Sequence, residues 1–341
     1  MRIGLLFDFP QGDGGESFKS AVGLGLTREG VDRSSIEFVS ETAIGHPTGT
    51  PETVAQGFQA LASAGVSLII GPSISDNCLA ARDAADHEHV PAINYSGGER
   101  SRSSWMFHYQ IGSLEEEPPL LVDRLVERDL RTVAIIHDVS VVGSRYREVF
   151  GWAASRAGID VLATASIDPV AVDVGAAVAI LRAASPGALI YLGLGASSLA
   201  VATAVIDAGW SVPVLANSAL MFGYLMRDWR DAWRGWEYVD TIADDNLERA
   251  ALRQLDARAA AGSMGCAAYD MGRLVGAALG RADDHTRSGL REGLERVKLL
   301  AAASGHAGTL MGFGVWDRAA LKGPFLVIRE WRDGRTIQVP R

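Results

Sequence analysis

The stretch VSLIIGPSISDNCLAARDAADHEHVPAINY, residues 66–95, carries the pattern that decides the fold. It contains two short apolar runs, VSLIIG (66–71) and VPAINY (90–95), separated by a mixed segment of helical length. Runs that are apolar on both faces are typical of parallel strands covered by helices on each side. The stretch therefore predicts one strand–helix–strand unit of a parallel sheet.

The same alternation recurs along the chain in two successive sets. The first set extends to about residue 112, and the second begins with EEEPPLLVDRLVERD and extends to about residue 242. The other strand candidates are RIGLLF (2–7), SIEFVS (35–40), TVAIIHD (132–138), IDVLATA (159–165), ALIYLG (188–193) and VPVLAN (212–217). Because strands alternate with helix-length segments twice over, the sequence predicts an α/β protein with two doubly wound parallel sheets.

The segment after residue 242 breaks this alternation. We expect helices at 245–261, 264–280 and 286–299 in this part of the chain. The strands expected after them lie around GFGVWD (312–317), PFLVIREW (324–331) and TIQVP (336–340).

Composition limits the classes of function. A chain of 341 residues suits two domains of about 150 to 170 residues each. The net charge of −9 argues against a nucleic-acid partner, because phosphate binding needs a basic face. No apolar stretch approaches the ~20 residues of a membrane span. Cys78 and Cys266 show no metal-ligand spacing and are predicted to be buried free thiols, with a single disulfide left open.

The amino terminus leaves two locations open. MRIGLLFDF (1–9) enters a strand directly, without the basic segment and cleavage site of a secretory signal peptide. We expect a cytoplasmic protein if Met1 is native. If a signal peptide was removed and Met1 added, we expect a periplasmic or cell-surface protein.

GPSISDN (71–77) lies where a strand ends and a helix begins. The start of a helix presents unpaired backbone N–H groups and the positive end of the helix dipole. Ser75, Asp76 and Asn77 are all residue types that cap helices well. The stretch therefore predicts either a helix cap alone or a cap that also holds an anion.

Six segments, in the same order along the chain, resemble one known family. They are IIGPSISDN (69–77), VPAINYSGGERS (90–101), RTVAIIHDVSVVGSRYREVFGWAASRAGIDV (131–161), ALIYLGLGASSLAVATAVIDAGWSVPVLANSAL (188–220), AAYDMGRLVGAALG (267–280) and GVWDRAALKGPFLVIREWRDG (314–334). The chain resembles the leucine/isoleucine/valine-binding family of type I periplasmic binding proteins over essentially its whole length.

The resemblance implies two α/β lobes, joined by three crossovers, that close on a small ligand without catalysis. One ligand-binding lobe would comprise residues 1–112 and 244–317, and the other residues 113–243 and 318–341.

The resemblance also implies candidate ligand contacts in the first lobe. Ser75 falls where the amino-acid binders hold the ligand carboxylate with a serine hydroxyl and adjacent amides. Asp76 would repel an anion if it pointed inward, so we expect it to cap the helix facing solvent. Ser96 and Gly97 match small positions of the family, while Gly98 replaces a threonine whose hydroxyl contacts the ligand.

The second lobe departs further from the family pattern. Val142 stands where an aromatic residue is usual, and Leu194 corresponds to a tyrosine. Ser218 replaces a glutamate that pairs with the ligand ammonium group, and a buried ammonium without a carboxylate is costly. An α-amino acid is therefore a poor candidate ligand. Further apolar side chains are expected to line this lobe: Val141, Leu220, Met221 and Phe222.

Enzyme motifs are incomplete. GLGASS (193–198) imitates the dinucleotide-binding pattern G-x-G-x-x-G, but Ser198 replaces its third glycine and no acid ends the next strand. His87 and His89 do not form the metal-binding H-E-x-x-H pattern. We therefore expect a protein that is not an enzyme and needs neither cofactor nor metal.

The function implied by the resemblance is that of a solute receptor of an ABC importer. Its ligand would be a hydrophobic small carboxylate or an amide-like compound, and its partner an ABC permease. The alternative is a cytoplasmic ligand sensor, resembling the amide sensors that control a partner regulator.

Overall fold

The computed structural model describes residues 1–10 and 14–340. The chain forms two compact units. Unit 1 comprises residues 1–111 and 241–325, and unit 2 comprises residues 112–240 together with those from 326 onward. The role of each unit as a ligand-binding lobe stays a prediction.

The elements follow the chain in this order. The strands are β1 (Arg2–Phe7), β2 (Glu37–Thr42), β3 (Leu68–Ile70), β4 (Ala92–Asn94), β5 (Met106–His108), β6 (Thr132–Asp138), β7 (Asp160–Ile167), β8 (Ala188–Leu192), β9 (Val214–Ala216), β10 (Glu237–Asp240), β11 (Leu300–Ala301), β12 (Leu310–Met311), β13 (Leu321–Lys322), β14 (Val327–Arg332) and β15 (Arg335–Gln338). The α-helices are α1 (Gly14–Arg28), α2 (Pro51–Ser63), α3 (Ser75–Glu88), α4 (Glu117–Glu127), α5 (Val141–Ala157), α6 (Gly175–Ala183), α7 (Ser198–Asp207), α8 (Leu247–Leu255), α9 (Ser263–Leu279) and α10 (Arg287–Glu295).

Unit 1 contains a five-stranded sheet in the order β2-β1-β3-β4-β5. All neighbouring strands in it are parallel, with Leu5 of β1 opposite Ser40 in β2 and Ile70 in β3. Helix α2 packs its apolar face on this sheet through Phe58 and Leu61, which are buried in one cluster with Ile69 of β3. Burying a side chain of this size stabilises the fold by about 1.5–3 kcal/mol.

Unit 2 contains a seven-stranded sheet in the order β15-β14-β10-β9-β8-β6-β7. The strands from β10 to β7 are parallel, whereas β14 is antiparallel to β10 and β15 is antiparallel to β14. Its core contains a stacked pair, Tyr238 and Trp331, with ring centroids 5.8 Å apart. The sequence predicts the parallel part of this sheet, and the antiparallel strands β14 and β15 extend it at one edge.

The α/β fold class is confirmed, and so is the burial of Cys78 and Cys266 as free thiols. TVAIIHD matches β6 residue for residue. GFGVWD (312–317) is not a strand, because residues 314–317 form a turn in which the Gly314 N–H donates to the Asp317 carbonyl at 2.8 Å. The short strands β5 and β10 were not predicted, and the acids of EYVD hide β10 from an apolar pattern.

The last boundary between the units lies at 325/326 rather than at 317/318. The cause is backbone pairing: the His108 N–H donates to the Arg318 carbonyl and the Ala320 N–H to the His108 carbonyl, both at 2.8 Å. These bonds hold residues 318–320 beside β5 within unit 1.

Candidate functional site

In each unit the loops that follow the parallel strands lie at one edge of the sheet. Strands β1, β3 and β4 run in the same direction in unit 1, as do β6, β8 and β9 in unit 2. Ligands of open α/β sheets bind outside the carboxyl ends of the strands. All the site residues expected from the sequence lie in or beside these loops.

The stretch GPSISDN surrounds a carboxylate of the chain itself, that of Asp8, which directly follows β1. One Asp8 oxygen accepts the N–H of Ser73 at 3.0 Å and its hydroxyl at 2.7 Å. The other accepts the N–H of Ile74 at 2.9 Å and the side-chain amide of Asn77 at 2.8 Å. Asp8 is fully buried, and burial raises the pKa of its carboxyl while these hydrogen bonds act in the opposite direction.

A glycine makes this close approach possible. Gly71 has φ +117°, and a Cβ at this position would lie 2.1 Å from the Leu6 carbonyl oxygen. Only glycine combines this backbone conformation with so near a neighbour. The end of β3 is thereby held against the end of β1, where Asp8 begins its hydrogen bonds.

Helix α3 begins without the expected side-chain cap. Its N-cap residue is Ile74, which makes no side-chain cap hydrogen bond, so the prediction that Ser75, Asp76 or Asn77 caps the helix is wrong. Asp76 is only 9% exposed, so it does not face solvent as expected. Ser75 is half-buried, and its hydroxyl forms no hydrogen bond with the described part of the chain. It lies beside the first-turn N–H groups, which have no partner inside an α-helix.

The loop after β4 is stiffened by buried hydrogen bonds. The Ser96 hydroxyl donates to the Asn94 side-chain oxygen at 3.0 Å and accepts the Gly98 N–H at 3.3 Å. The Ser101 hydroxyl lies 3.2 Å from the same Asn94 oxygen. Ser96 is fully buried, whereas Gly97 is half-buried at the loop surface. Of the predicted contacts in this loop, Ser96 therefore supports the loop from inside.

His108 is the second support of this loop. Its Nε2 lies 2.7 Å from the Ser96 carbonyl, and its Nδ1 accepts the Arg102 guanidinium at 3.0 Å. Burial, with the nearby charge of Arg102, lowers the pKa of His108 to about 3. The imidazole is therefore neutral, with its single proton on Nε2.

Unit 2 also has a buried carboxylate at a strand end that accepts loop N–H groups, that of Asp138, the last residue of β6. The Leu194 N–H donates to one Asp138 oxygen at 2.6 Å, and the Ser140 N–H donates to the other at 3.2 Å, together with the Ser140 hydroxyl. A Cβ on Gly143 or Gly193 would lie 2.2 Å from this carboxylate. Burial raises the pKa of Asp138, as it does for the equivalent residue of unit 1.

The apolar side chains of unit 2 divide between its interior and its surface. Three of those expected at the site are buried: Val142, Leu220 and Met221. The exposed apolar side chains beside Asp138 are Val139 and Val141, at 58% and 64%, and Leu194 is half-buried. The side chain of Phe222 lies outside the described part. An apolar surface at this edge consists of the two exposed valines and Leu194.

Ser218 contacts a carboxylate that the sequence did not reveal. Glu117, the first residue of α4, is fully buried and accepts four hydrogen bonds. The donors are the Ser113 N–H at 2.8 Å, the Tyr146 hydroxyl at 2.7 Å, and the N–H and hydroxyl of Ser218 at 2.7 and 2.9 Å. Burial raises the pKa of Glu117 to about 7, against the lowering effect of these bonds.

Little in the sequence distinguishes Glu117 from its acidic neighbours. It is the third residue of EEEPP, where a run of charge usually indicates a solvated helix start. Gly112 leaves room for the Glu117 side chain, because a Cβ at this position would lie 2.4 Å from a Glu117 oxygen. This requirement for glycine is visible in the folded loop and not in the sequence.

The loop GLGASS does not offer a phosphate site. Its Leu194 N–H already donates to the Asp138 carboxylate, so a phosphate there would face a buried negative charge. Within residues 1–10 and 14–340 no cluster of three or more His, Cys, Asp or Glu side chains could hold a metal ion. In the same part of the chain, no helix has the length and apolar character needed to cross a membrane.

Each of the two α/β units carries loops at the carboxyl edge of a parallel sheet, which is where open α/β sheets bind ligands. A family model described as periplasmic binding protein matches residues 1–318. The chain belongs to this family, in its type I, leucine/isoleucine/valine-binding-like branch. No curated protein sequence matches the chain significantly.

Solved structures share the fold at low sequence identity. A type 1 periplasmic binding protein from Bordetella pertussis Tohama I is 17% identical, with a TM-score of 0.82 and coverage of 100% of this chain and 99% of that one. An ABC transporter substrate-binding protein from Desulfitobacterium hafniense, in complex with Leu, is 18% identical, with a TM-score of 0.79 and 99% of both chains covered.

A third structure is an ABC transporter solute-binding protein from Rhodopseudomonas palustris in complex with 4-hydroxybenzoate. It is 15% identical, with a TM-score of 0.81 and coverage of 100% of this chain and 96% of that one. The family and these neighbours are ligand-binding receptors and the binding proteins of transporters, and the family is normally extracytoplasmic.

Proposed function

We propose that the protein is the solute receptor of an ABC importer and binds a hydrophobic small carboxylate or an amide-like compound. The observation that carries the proposal is the chemistry of the loops at the carboxyl edge of the unit 2 sheet. Val139 and Val141 are exposed after β6, and Ser218 is half-buried after β9. Exposed valines and a hydroxyl on loops of the same sheet edge suit a ligand that is mostly hydrocarbon with one polar group. An extracytoplasmic location and a permease partner belong to the same proposal.

The carboxylates at this edge argue against a free α-amino acid. Asp138 and Glu117 are both fully buried, and each already accepts hydrogen bonds from the chain. Pairing either one with a ligand ammonium would require giving up buried hydrogen bonds. Free amino acids therefore rank below their deaminated acids and amides.

Unit 1 carries a polar group of its own at the equivalent edge of its sheet. Ser75 is half-buried at the start of α3, beside first-turn N–H groups that an acceptor can reach. The two ligands named for structural neighbours, Leu and 4-hydroxybenzoate, both carry a carboxylate. That shared group supports a carboxylate or an amide as the polar group of the ligand, with Ser75 as one candidate contact.

A thermal-shift screen followed by calorimetry tests the proposal. The panel contains 4-hydroxybenzoate, benzoate, 4-methylpentanoate, the three matching amides, and leucine. Acids or amides should raise the unfolding midpoint, because a ligand selective for the native state stabilises it, and leucine should have the smallest effect. Binding of leucine alone would contradict the proposed ligand class.

The Ser75→Ala variant then tests the proposed contact. Loss of a hydrogen bond to a charged or strongly polar group should weaken binding of the best panel compound by about 1 to 2 kcal/mol. The matched control is Ser63→Ala, an exposed serine at the end of α2, which should leave affinity unchanged. Equal affinities for the two variants would remove Ser75 from the site.

A further inference from the structure

Glu117 is a buried carboxylate whose donors are all uncharged. Its four hydrogen bonds come from Ser113, Tyr146 and Ser218, through two backbone N–H groups and two hydroxyls. Within residues 14–340, no Arg, Lys or His forms an ion pair with Glu117. A buried acid without a cation is held charged only by such donors, so its protonation state is sensitive to their number.

The charge on Glu117 determines what Ser218 can offer to a ligand. A carboxylate has only acceptors, so the Ser218 hydroxyl, 2.9 Å away, must donate its single proton to it. Ser218 is half-buried, and its oxygen keeps lone pairs that are not used in donating to Glu117. In this state Ser218 can accept a hydrogen bond from a ligand but cannot give one.

We propose that Glu117, acting through Ser218, selects the polar group of the ligand: the charged form favours a hydrogen-bond donor such as an amide, and the protonated form admits a carboxylate. When Glu117 takes up a proton, its O–H can donate to the Ser218 oxygen. The Ser218 proton is then free to turn toward a ligand acceptor. One proton is taken up by the protein for each carboxylate bound in this way. The inference rests on the proposed function, since it concerns the same site.

The surroundings of Glu117 make both forms accessible near neutral pH. Burial raises the pKa of Glu117 to about 7, so small changes in the number of donors shift the balance between its forms. The titratable group that faces it from α5 is Tyr146, whose own pKa is raised well above its usual range, first by burial. Arg145 on the same helix pairs instead with Glu115 and Glu148. From the segment after β9, Ser218 contributes only uncharged donors.

The first experiment needs no ligand. Carbon-13 NMR of protein labelled at the glutamate carboxyl follows the resonance that Tyr146→Phe and Ser218→Ala both move. In the unaltered protein this carboxyl should titrate near pH 7, the value that burial gives Glu117. Each variant removes one donor to the charged form and should raise the pKa further. A carboxyl that titrates in the ordinary glutamate range, or a pKa that Ser218→Ala leaves unchanged, would overturn the proposal.

The second experiment measures the affinity ratio of each amide to its matching acid against pH. The pairs are 4-hydroxybenzamide with 4-hydroxybenzoate, benzamide with benzoate, and 4-methylpentanamide with 4-methylpentanoate. Above the pKa of Glu117 the acid should lose up to about tenfold in affinity per pH unit, while the amide changes little. A ratio that does not depend on pH would overturn the proposal.

Two variants separate a selective role from a structural one. Ser218→Ala should abolish the pH dependence of the ratio, because no hydroxyl is left to change its role. Tyr146→Phe keeps Ser218 and, since Tyr146 is buried, leaves the unit surface unchanged. It should preserve the pH dependence and move its midpoint to higher pH. A parallel loss of affinity for both compounds at every pH in both variants would show a structural role only and overturn the proposal.

The two experiments also distinguish this inference from the proposed function. If no pair on the panel binds, the proposed ligand class fails, and the NMR titration alone decides whether Glu117 and Ser218 are coupled. If the pairs bind and the ratio does not depend on pH, the proposed function stands and the role of Glu117 fails.

Discussion

Both units have a buried aspartate at the carboxyl end of their first strand, and they differ in the hydrogen bonds that it accepts. In each, a buried aspartate follows or ends the first strand and accepts N–H groups from the loop after the neighbouring strand. Asp8 receives four hydrogen bonds, two of them from Ser73 and one each from Ile74 and Asn77. Asp138 receives three, two of which come from Ser140 in its own loop. All four bonds to Asp8 therefore come from another segment of the chain, residues 73–77, whereas only the Leu194 bond to Asp138 does.

The response to pH is the second difference between the units. The loop of unit 1 is supported by His108, whose pKa burial lowers to about 3, so it stays neutral at all physiological pH values. The loop of unit 2 is backed by Glu117, whose pKa burial raises to about 7. A polar network with a settled protonation state keeps its hydrogen bonds, whereas one that titrates near neutrality changes them with pH.

Removing the two aspartates should give the largest effects. Asp8→Ala leaves four donors without the Asp8 acceptor, three of them in buried hydrogen bonds, and should lower the free energy of unfolding by about 3–5 kcal/mol. Asp138→Ala leaves three, two of them near the surface on Ser140, and should cost less. Urea unfolding measured side by side gives the two values.

The exposed Asp32 provides the control for this pair, because among the described residues its carboxylate accepts hydrogen bonds only from Ser34. Asp32→Ala should change stability by less than about 1 kcal/mol. If Asp138→Ala proves as costly as Asp8→Ala, the two edges are equally firm and the contrast between the units fails.

His108 should make unit 1 lose stability in acid. The folded-state pKa of about 3 lies below the ordinary value of 6.5, so the stabilisation is complete above pH 6.5 and is lost as the pH falls toward 3. Relative to His108→Gln, the unaltered protein should lose up to about 1.4 kcal/mol per pH unit in this range. Thermal midpoints of both proteins at several pH values measure it.

Glu117 should act in the opposite direction. Its folded-state pKa of about 7 lies above the ordinary 4.5, so its contribution to stability is complete below pH 4.5 and is lost as the pH rises through 7.

The His108 prediction has its own contrary outcome. If the midpoint difference between His108→Gln and the unaltered protein stays constant from pH 6.5 downward, protonating the buried His108 does not lower the stability of the folded state.

Much of the fold could be predicted because apolar runs and helix-length spacing are local signals. TVAIIHD gave β6 without error, since a long run that is buried on both faces has few alternatives. β10 escaped because half of EYVD is acidic, and Glu237 is buried only through its bonds to Arg124 and Arg128, far earlier in the chain. Pairings over such distances in sequence leave no local pattern.

The site was less accessible to sequence reasoning for the same reason. Ser75 and Ser218 could be placed at strand ends from their position alone. The carboxylates that set the chemistry around them could not, because Asp8 reaches Asn77 across 69 positions and Glu117 reaches Ser218 across 101. The apolar pattern also could not tell exposed Val141 from buried Val142, which are neighbours in the first turn of α5.

The smallest effect, and the one most specific to unit 2, is expected for Tyr146→Phe. The hydroxyl donates to Glu117 at 2.7 Å, and hydrogen bonds to a charged group contribute about 1.5–3 kcal/mol. This bond favours the charged form, so its removal raises the pKa of Glu117 further. The loss of stability should therefore be largest above the folded-state pKa of about 7 and should shrink as the pH falls below it.

Tyr191→Phe is the matched control in unit 2, because the Tyr191 hydroxyl lies 3.1 Å from the uncharged Ser197 hydroxyl. The loss of stability in this variant should not follow the titration of Glu117. Urea midpoints at about pH 6 and about pH 8.5 bracket the transition. Equal pH dependence in the two variants would mean that Glu117 does not titrate in this range. The loop of unit 2 would then be as indifferent to neutral pH as the loop that His108 supports in unit 1.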